Sequence, residues 1–136
     1  MMRSKKLLTY LDAGVLLAGW RGSPDAARRY HALVNDPGRS FVFSDYLLLE
    51  VLPKAVYFGH TPERHFYEHY FNHAARQQPS TTDAYATASR YGLAAIDALH
   101  LQAALDAGAA EFVTTERPTK PLHRARGIRI TDFSAL

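Results

Sequence analysis

Four acids carry the chemistry that this chain could perform. Asp97 falls in the run from Ala94 to Ala107, which Gly108 closes as a helix. On that helix its i−4, i−3, i+4 and i+7 neighbours are Leu93, Ala94, Leu101 and Ala104, so the carboxylate sits on an apolar stripe. An ionised acid buried there without a partner is strongly destabilising, so it is protonated, met by a cation, or turned toward a cleft. Asp12 follows the apolar run Leu7 to Leu11, Glu50 lies among leucines and valine in DYLLLEVL, and Glu116 follows EFVTT. Gathered together, such carboxylates would repel and raise one another's pKa unless a cation neutralised them. The chain has no cysteine, and its hard oxygen ligands favour Mg²⁺ or Mn²⁺ over zinc. The chemistry such ions support is metal-assisted hydrolysis of a phosphodiester.

The elements that must position these acids can be read in order. Leu7 to Leu11 lacks polar alternation and predicts a strand covered on both faces, with Asp12 at its carboxyl end. A glycine-containing loop with Gly19 and Gly22 follows, then a helix from the Ser23 cap and Pro24 through about Val34. Ser40 to Phe43 is the second strand, and Ser44 or Asp45 caps the helix that carries Glu50. Pro53 in that helix should kink or break it. Another helix begins at Thr61 and Pro62 and runs PERHFYEHYFNHAAR, with Phe66, Tyr67, Tyr70 and Phe71 as a packing face. After an interruption at Pro79 to Thr82, Thr82 or Asp83 caps a helix through Arg90, and Gly92 separates it from the Asp97 helix. Glu111 to Thr115 and Ile128 to Thr131 are strands. Between them RPTKPLHRARG, with two prolines, resists regular structure.

Strands separated by helices predict an α/β fold: an α/β/α sandwich around a mainly parallel sheet of four or five short strands. Sites in such sheets form beyond the carboxyl ends of the strands, which brings Asp12, Glu50 and Glu116 to one edge, with Asp97 joining from the side. The 136 residues are expected to form a single domain, 1–136. Sixteen Lys and Arg against 13 Asp and Glu give +3, compatible with an anionic partner but short of a dedicated nucleic-acid packing protein. The opening MMRSKKLLTYLDAGVLLAGW has the basic-then-apolar start of a signal peptide, yet Asp12 interrupts it and no cleavage site is evident, so it reads as the first strand. No apolar run reaches the ~20 residues that a bilayer requires, so no membrane association and a cytoplasmic location are expected.

Tyr10-Leu11-Asp12, Ser44 six residues before Glu50, Ile96-Asp97-Ala98-Leu99-His100-Leu101 and Val113-Thr114-Thr115-Glu116, in this order, resemble the PIN-domain ribonucleases. Among these the chain is similar to the small VapC-type toxins of toxin-antitoxin pairs. The resemblance implies a metal-dependent endoribonuclease with Asp12, Glu50 and Asp97 as the core metal-binding acids and Thr114 or Thr115 positioning ligands or water. It implies an antitoxin protein as partner and a homodimer. Glu116 stands where the family usually has aspartate, and Arg117 and Pro118 follow where another acid or amide is common.

Each residue also has a plainer role. Asp12 would cap a turn, Asp97 would pair with an arginine such as Arg90, Glu50 with Lys54, and Glu116 with Arg117 or Lys120. His65 and His69 are an i, i+4 pair without a third ligand, and His100 either approaches the cleft or packs in the core. Arg117, Lys120, Arg124, Arg126 and Arg129 are the basic side chains available to RNA phosphates. A phosphate-accepting receiver domain, the rival enzyme of this size, lacks its order of acids here. The rival from another class is a PIN-like module that binds RNA or protein without cleaving.

Overall fold

The computed structural model describes residues 5–136, so the first four residues of the opening lie outside it. The chain runs β1 (Leu7–Leu11), α1 (Ala13–Arg21), α2 (Pro24–Val34), β2 (Arg39–Phe43), α3 (Asp45–Tyr57), α4 (Thr61–His73), β3 (Ala75–Arg76), α5 (Thr81–Tyr91), α6 (Ala95–Asp106), β4 (Glu111–Thr114) and β5 (Arg129–Asp132). Short 3₁₀ turns cover Pro121–Arg124 and Phe133–Ala135. The described residues form one sheet in the order β3-β2-β1-β4-β5, and every pairing is parallel.

The side-chain period of two explains the layers. Tyr10 and Leu11 are neighbours in β1, as are Phe112 and Val113 in β4, and each pair splits between two cores. Leu11 and Val113 join Val15, Leu16, Tyr30, Leu33, Leu47 and Tyr67 beneath α1 to α4. Tyr10 and Phe112 join Val42, Leu101, Ala104 and Leu122 beneath α6 and the 3₁₀ turn. Both faces of the central strands are therefore dry, which is why their sequences are runs of apolar residues.

Several local expectations change. Gly19 belongs to α1 and does not mark a loop: the helix passes so close to α2 that a Cβ there would enter the Tyr30 ring. Its missing side chain serves helix packing. Pro53 does not break α3, which continues to Tyr57. The proline is exposed, on the same flank as the 62% exposed Leu49, so water can satisfy the Leu49 carbonyl left without its donor. Ser80, one of the interrupting residues, caps α5 by accepting from the Asp83 N–H at 3.2 Å. The end of PERHFYEHYFNHAAR leaves the helix at His73, and Ala75 and Arg76 form a two-residue edge strand beside Val42 and Phe43. Among the described residues no helix is long and apolar enough to cross a membrane.

The chain crosses from β1 to β2 on one side of the sheet and returns to place β4 on the other side of β1. The carboxyl ends of β1 and β4 thus flank the switch in strand order, the place where α/β sheets open a crevice.

Candidate functional site

Asp12 emerges from β1 into that crevice and caps α1, its Oδ1 accepting from the Val15 N–H at 3.3 Å. Its Oδ2 accepts the hydroxyl hydrogen of Thr114, the buried last residue of β4. The same Thr114 oxygen accepts the backbone N–H of Glu116 at 3.0 Å. One threonine therefore binds the end of β1 to the turn that delivers Glu116. Thr115 is exposed and lies over Gly14, where a Cβ would collide with its Oγ1 and come within 3.3 Å of Asp12 Oδ1. Gly14 thus belongs to the site by leaving space, a role that sequence reading did not assign it.

Asp97 lies in the first turn of α6 and is partly exposed. With Glu116, Lys120, Leu93 and Pro121 it lines a cleft of about 290 Å³. The cleft's outer wall is pinned by His123, whose Nε2 donates to the Glu116 carbonyl at 2.9 Å. Arg117 is exposed on the turn before Lys120, its carbonyl accepting the Lys120 N–H at 2.9 Å. The plainer pairings are not made. The Arg90 guanidinium sits 5.4 Å from the Tyr91 ring centroid, and among the described residues no ion pair joins Asp97 to Arg90, Glu50 to Lys54, or Glu116 to Arg117 or Lys120.

The electrostatics match a crowded acidic edge. Burial pushes the Asp12 carboxyl up to about 6; the hydrogen bonds from Thr114 and Val15 and the nearby His100 oppose this, and Asp97 adds to it. Burial also raises Asp97, with Glu116 and Glu50 adding to the rise and His100 opposing it. The acids therefore feel one another across the crevice, and burial amplifies the effect.

Glu50 reaches the edge from α3 and is held there by His100, whose Nε2 contacts its Oε1. The other ring nitrogen, Nδ1, is 2.6 Å from the Tyr10 hydroxyl, which is 2.8 Å from Ser44 Oγ. His100 is thus both a core residue, 2% exposed, and a neighbour of the acids. The pairing of Tyr10 with His100 spans 90 positions and has no local sequence signal.

Other candidates separate from this edge. Arg129 opens β5 opposite Glu111, near the amino ends of the strands and away from the acids, so it does not join the basic residues beside them. His69 and His73 face a different cavity of about 290 Å³, with His31, Tyr30, Phe41, Phe66 and Tyr70. Asp132 ends β5 on the acidic edge, but its Oδ1 accepts from the Ser134 N–H and hydroxyl at 3.0 and 2.8 Å. As the side chains lie, no three His, Asp or Glu among the described residues converge closely enough to hold one ion. Both Asp12 oxygens and one Glu50 oxygen are engaged in the hydrogen bonds just given.

The parallel α/β/α sheet is a PIN-like fold, and solved structures share it. VapBC2 from Rickettsia felis, solved bound to a DNA fragment from their promoter, superposes with a TM-score of 0.67 at 12% identity, covering 92% of this chain and 98% of that one. FitAcB from Neisseria gonorrhoeae gives 0.63 at 16% identity over 94% and 99%, and PAE2754 from Pyrobaculum aerophilum 0.59 at 17% over 96% and 99%. No family model and no curated protein sequence matches the chain. The shared property is the fold.

Proposed function

We propose that this chain is a Mg²⁺- or Mn²⁺-dependent endoribonuclease, acting as the toxin of a toxin-antitoxin pair. The observation that carries the reading is the grouping of Asp12, Asp97, Glu50 and Glu116 around the β1/β4 crevice, where burial raises both Asp12 and Asp97, Asp97 adds to the rise of Asp12, and Glu116 and Glu50 add to that of Asp97. The donor types suit a hard divalent cation, being all carboxylate oxygen with no arginine or lysine ion pair to neutralise them among the described residues, and the side chains would have to draw closer to hold one ion. Asp12, Glu50 and Asp97 would hold the ion, with Glu116 as a further ligand. When bound, the cation would polarise the phosphoryl oxygen and lower the pKa of an attacking water. Thr114 keeps Asp12 in register with Glu116, and Lys120 and Arg117 hold RNA phosphates at the cleft rim.

An antitoxin protein is the proposed partner, on the likeness of fold to VapBC2 and FitAcB. A homodimer is proposed through the outward face of α3 and its end, where Leu49, Val56, Tyr57 and Phe58 are 62%, 48%, 82% and 61% exposed. Tyr57→Glu should then sediment as a monomer where the parent does not; equal sedimentation removes this interface. The single-domain reading of 1–136 and a cytoplasmic location belong to the same proposal.

The unconverged carboxylates favour one competing reading, a module that binds RNA or protein without cutting. Calorimetry with Mn²⁺ on the parent and on Asp97→Asn, run beside cleavage of a mixed structured RNA, separates the two. Ion binding and cutting by the parent, both lost in the variant, support the nuclease. RNA binding without ion binding or cutting supports the module.

A further inference from the structure

Ser44, Tyr10, His100 and Glu50 form a chain of hydrogen bonds that runs from the core to the acidic edge. Its members come from three places that also carry the acids: β1 leads to Asp12, α3 holds Glu50 and α6 holds Asp97. A Glu50 carboxylate can only accept, so the His100 tautomer beside it carries its proton on Nε2 and donates. In the neutral ring with that tautomer, Nδ1 accepts from the Tyr10 hydroxyl at 2.6 Å, and the Tyr10 oxygen accepts from Ser44 at 2.8 Å. The polarity is consistent, with one donor and one acceptor used at each step. Tyr10 has no freedom to move, being fully buried and stacked on Phe112 with centroids 5.2 Å apart at 11°.

A histidine satisfied for the sake of the core would end on another buried group. This one uses its outer nitrogen on a side chain 36% exposed, which water could have solvated. Both ring nitrogens are engaged, so His100 cannot itself be a ligand to an ion. We propose that His100 is a positioning residue for Glu50: its ring, anchored at Nδ1 by Tyr10, fixes one carboxylate oxygen and leaves the other for the acidic cluster. The role rests on the cation reading of the edge. It is of the outer-sphere kind, in which a hydrogen-bonded partner orients a ligand that it does not replace.

Two measurements test it on the full chain. Long-range ¹H–¹⁵N correlation of the metal-free parent should show the His100 ring with a proton on Nε2; an unprotonated Nε2 overturns the arrangement. Mn²⁺ calorimetry on folded His100→Ala should show affinity weakened roughly 10- to 100-fold. His100→Gln, which offers an amide donor, should recover most of the loss, and Tyr10→Phe should weaken binding less than His100→Ala does. Undiminished or tighter Mn²⁺ binding by folded His100→Ala overturns positioning while the nuclease reading stands. Failure of His100→Gln to recover any binding assigns the residue to packing and also overturns it. A parent that binds no Mn²⁺ removes the nuclease reading and this inference together.

Discussion

Thr114 donates its hydroxyl hydrogen to Asp12 across the β1/β4 pair, where the strand order switches. That bond lowers the Asp12 pKa, but burial outweighs it and the folded value rises from 3.8 to about 6. Asp12 therefore binds its proton more tightly folded than unfolded. Its contribution to stability is full below pH ~4 and lost as pH rises through about 6. Asp12→Asn is neutral at every pH and keeps a cap for α1. In chelator it should be more stable than the parent at pH 7.5, by at most about 3 kcal/mol, less for the part of the carboxylate that water screens. Thermal unfolding at pH 7.5 and pH 4 checks this: the advantage should disappear at the lower pH. Saturating Mn²⁺ should reverse it at pH 7.5, because only the parent then gains from binding.

Gly14 and Thr115 should couple strongly. Gly14→Ala forces Thr115 or its turn aside and should destabilise by about 1–3 kcal/mol. In a Thr115→Ala background the Oγ1 obstacle is gone, and alanine's helix preference near the start of α1 offsets the remaining tightness against the Cβ. The same Gly14→Ala change should then be close to neutral. A double-mutant cycle by denaturant unfolding measures the coupling, and additive effects would refute the close approach.

The parts of the site that follow from local chemistry were legible in the sequence. Leu7 to Leu11, with Asp12 after it, announces a buried strand ending in an acid; Gly92 and Gly108, at φ 69° and 72°, mark the helix ends around Asp97. What escaped depends on three-dimensional closeness. Gly19 looks like a loop residue until Tyr30 is seen against it, and the Ala75–Arg76 strand is too short to carry a period. Glu50 reads as a surface partner of Lys54, because nothing within its own helix reveals a histidine arriving from α6. Arg129 is grouped with Lys120 among the basic side chains of the sequence, yet the register of β5 sends it to the far end of the sheet.

That separation makes a prediction about RNA. Lys120 lines the cleft with Asp97 and Glu116, whereas Arg129 does not reach it. On the nuclease reading, Lys120→Ala should raise KM for RNA several-fold with kcat little changed, and should reduce the slope of log affinity against log salt by about one. Arg129→Ala should alter neither. Equal effects from both variants would mean that RNA follows net charge and does not enter this cleft.

At the amino end of the sheet, Glu111 offers the opposite pH behaviour. It is 1% exposed and accepts from Arg39 Nε at 2.9 Å and Nη2 at 3.3 Å, from Thr9 at 3.1 Å and from Thr131 at 2.7 Å. Burial alone would raise its pKa, but the Arg39 and threonine donors and the guanidinium charge hold it below the ordinary carboxylate value. A depressed folded pKa stabilises above the unfolded value near 4.5 and is lost as pH falls through the folded one. Arg39→Met leaves a buried carboxylate without its cation and should cost about 3–5 kcal/mol at pH 7. Acidification should shrink that deficit, because protonation relieves the unpaired charge in the variant while the parent loses its own stabilisation below 4.5. Arg39→Met with Glu111→Gln should recover much of the loss at pH 7, because no charge is then buried there. Unfolding midpoints of the three variants and the parent across pH 3–8 decide it. A deficit for Arg39→Met that stays constant over this range would show that the arginine contributes packing alone.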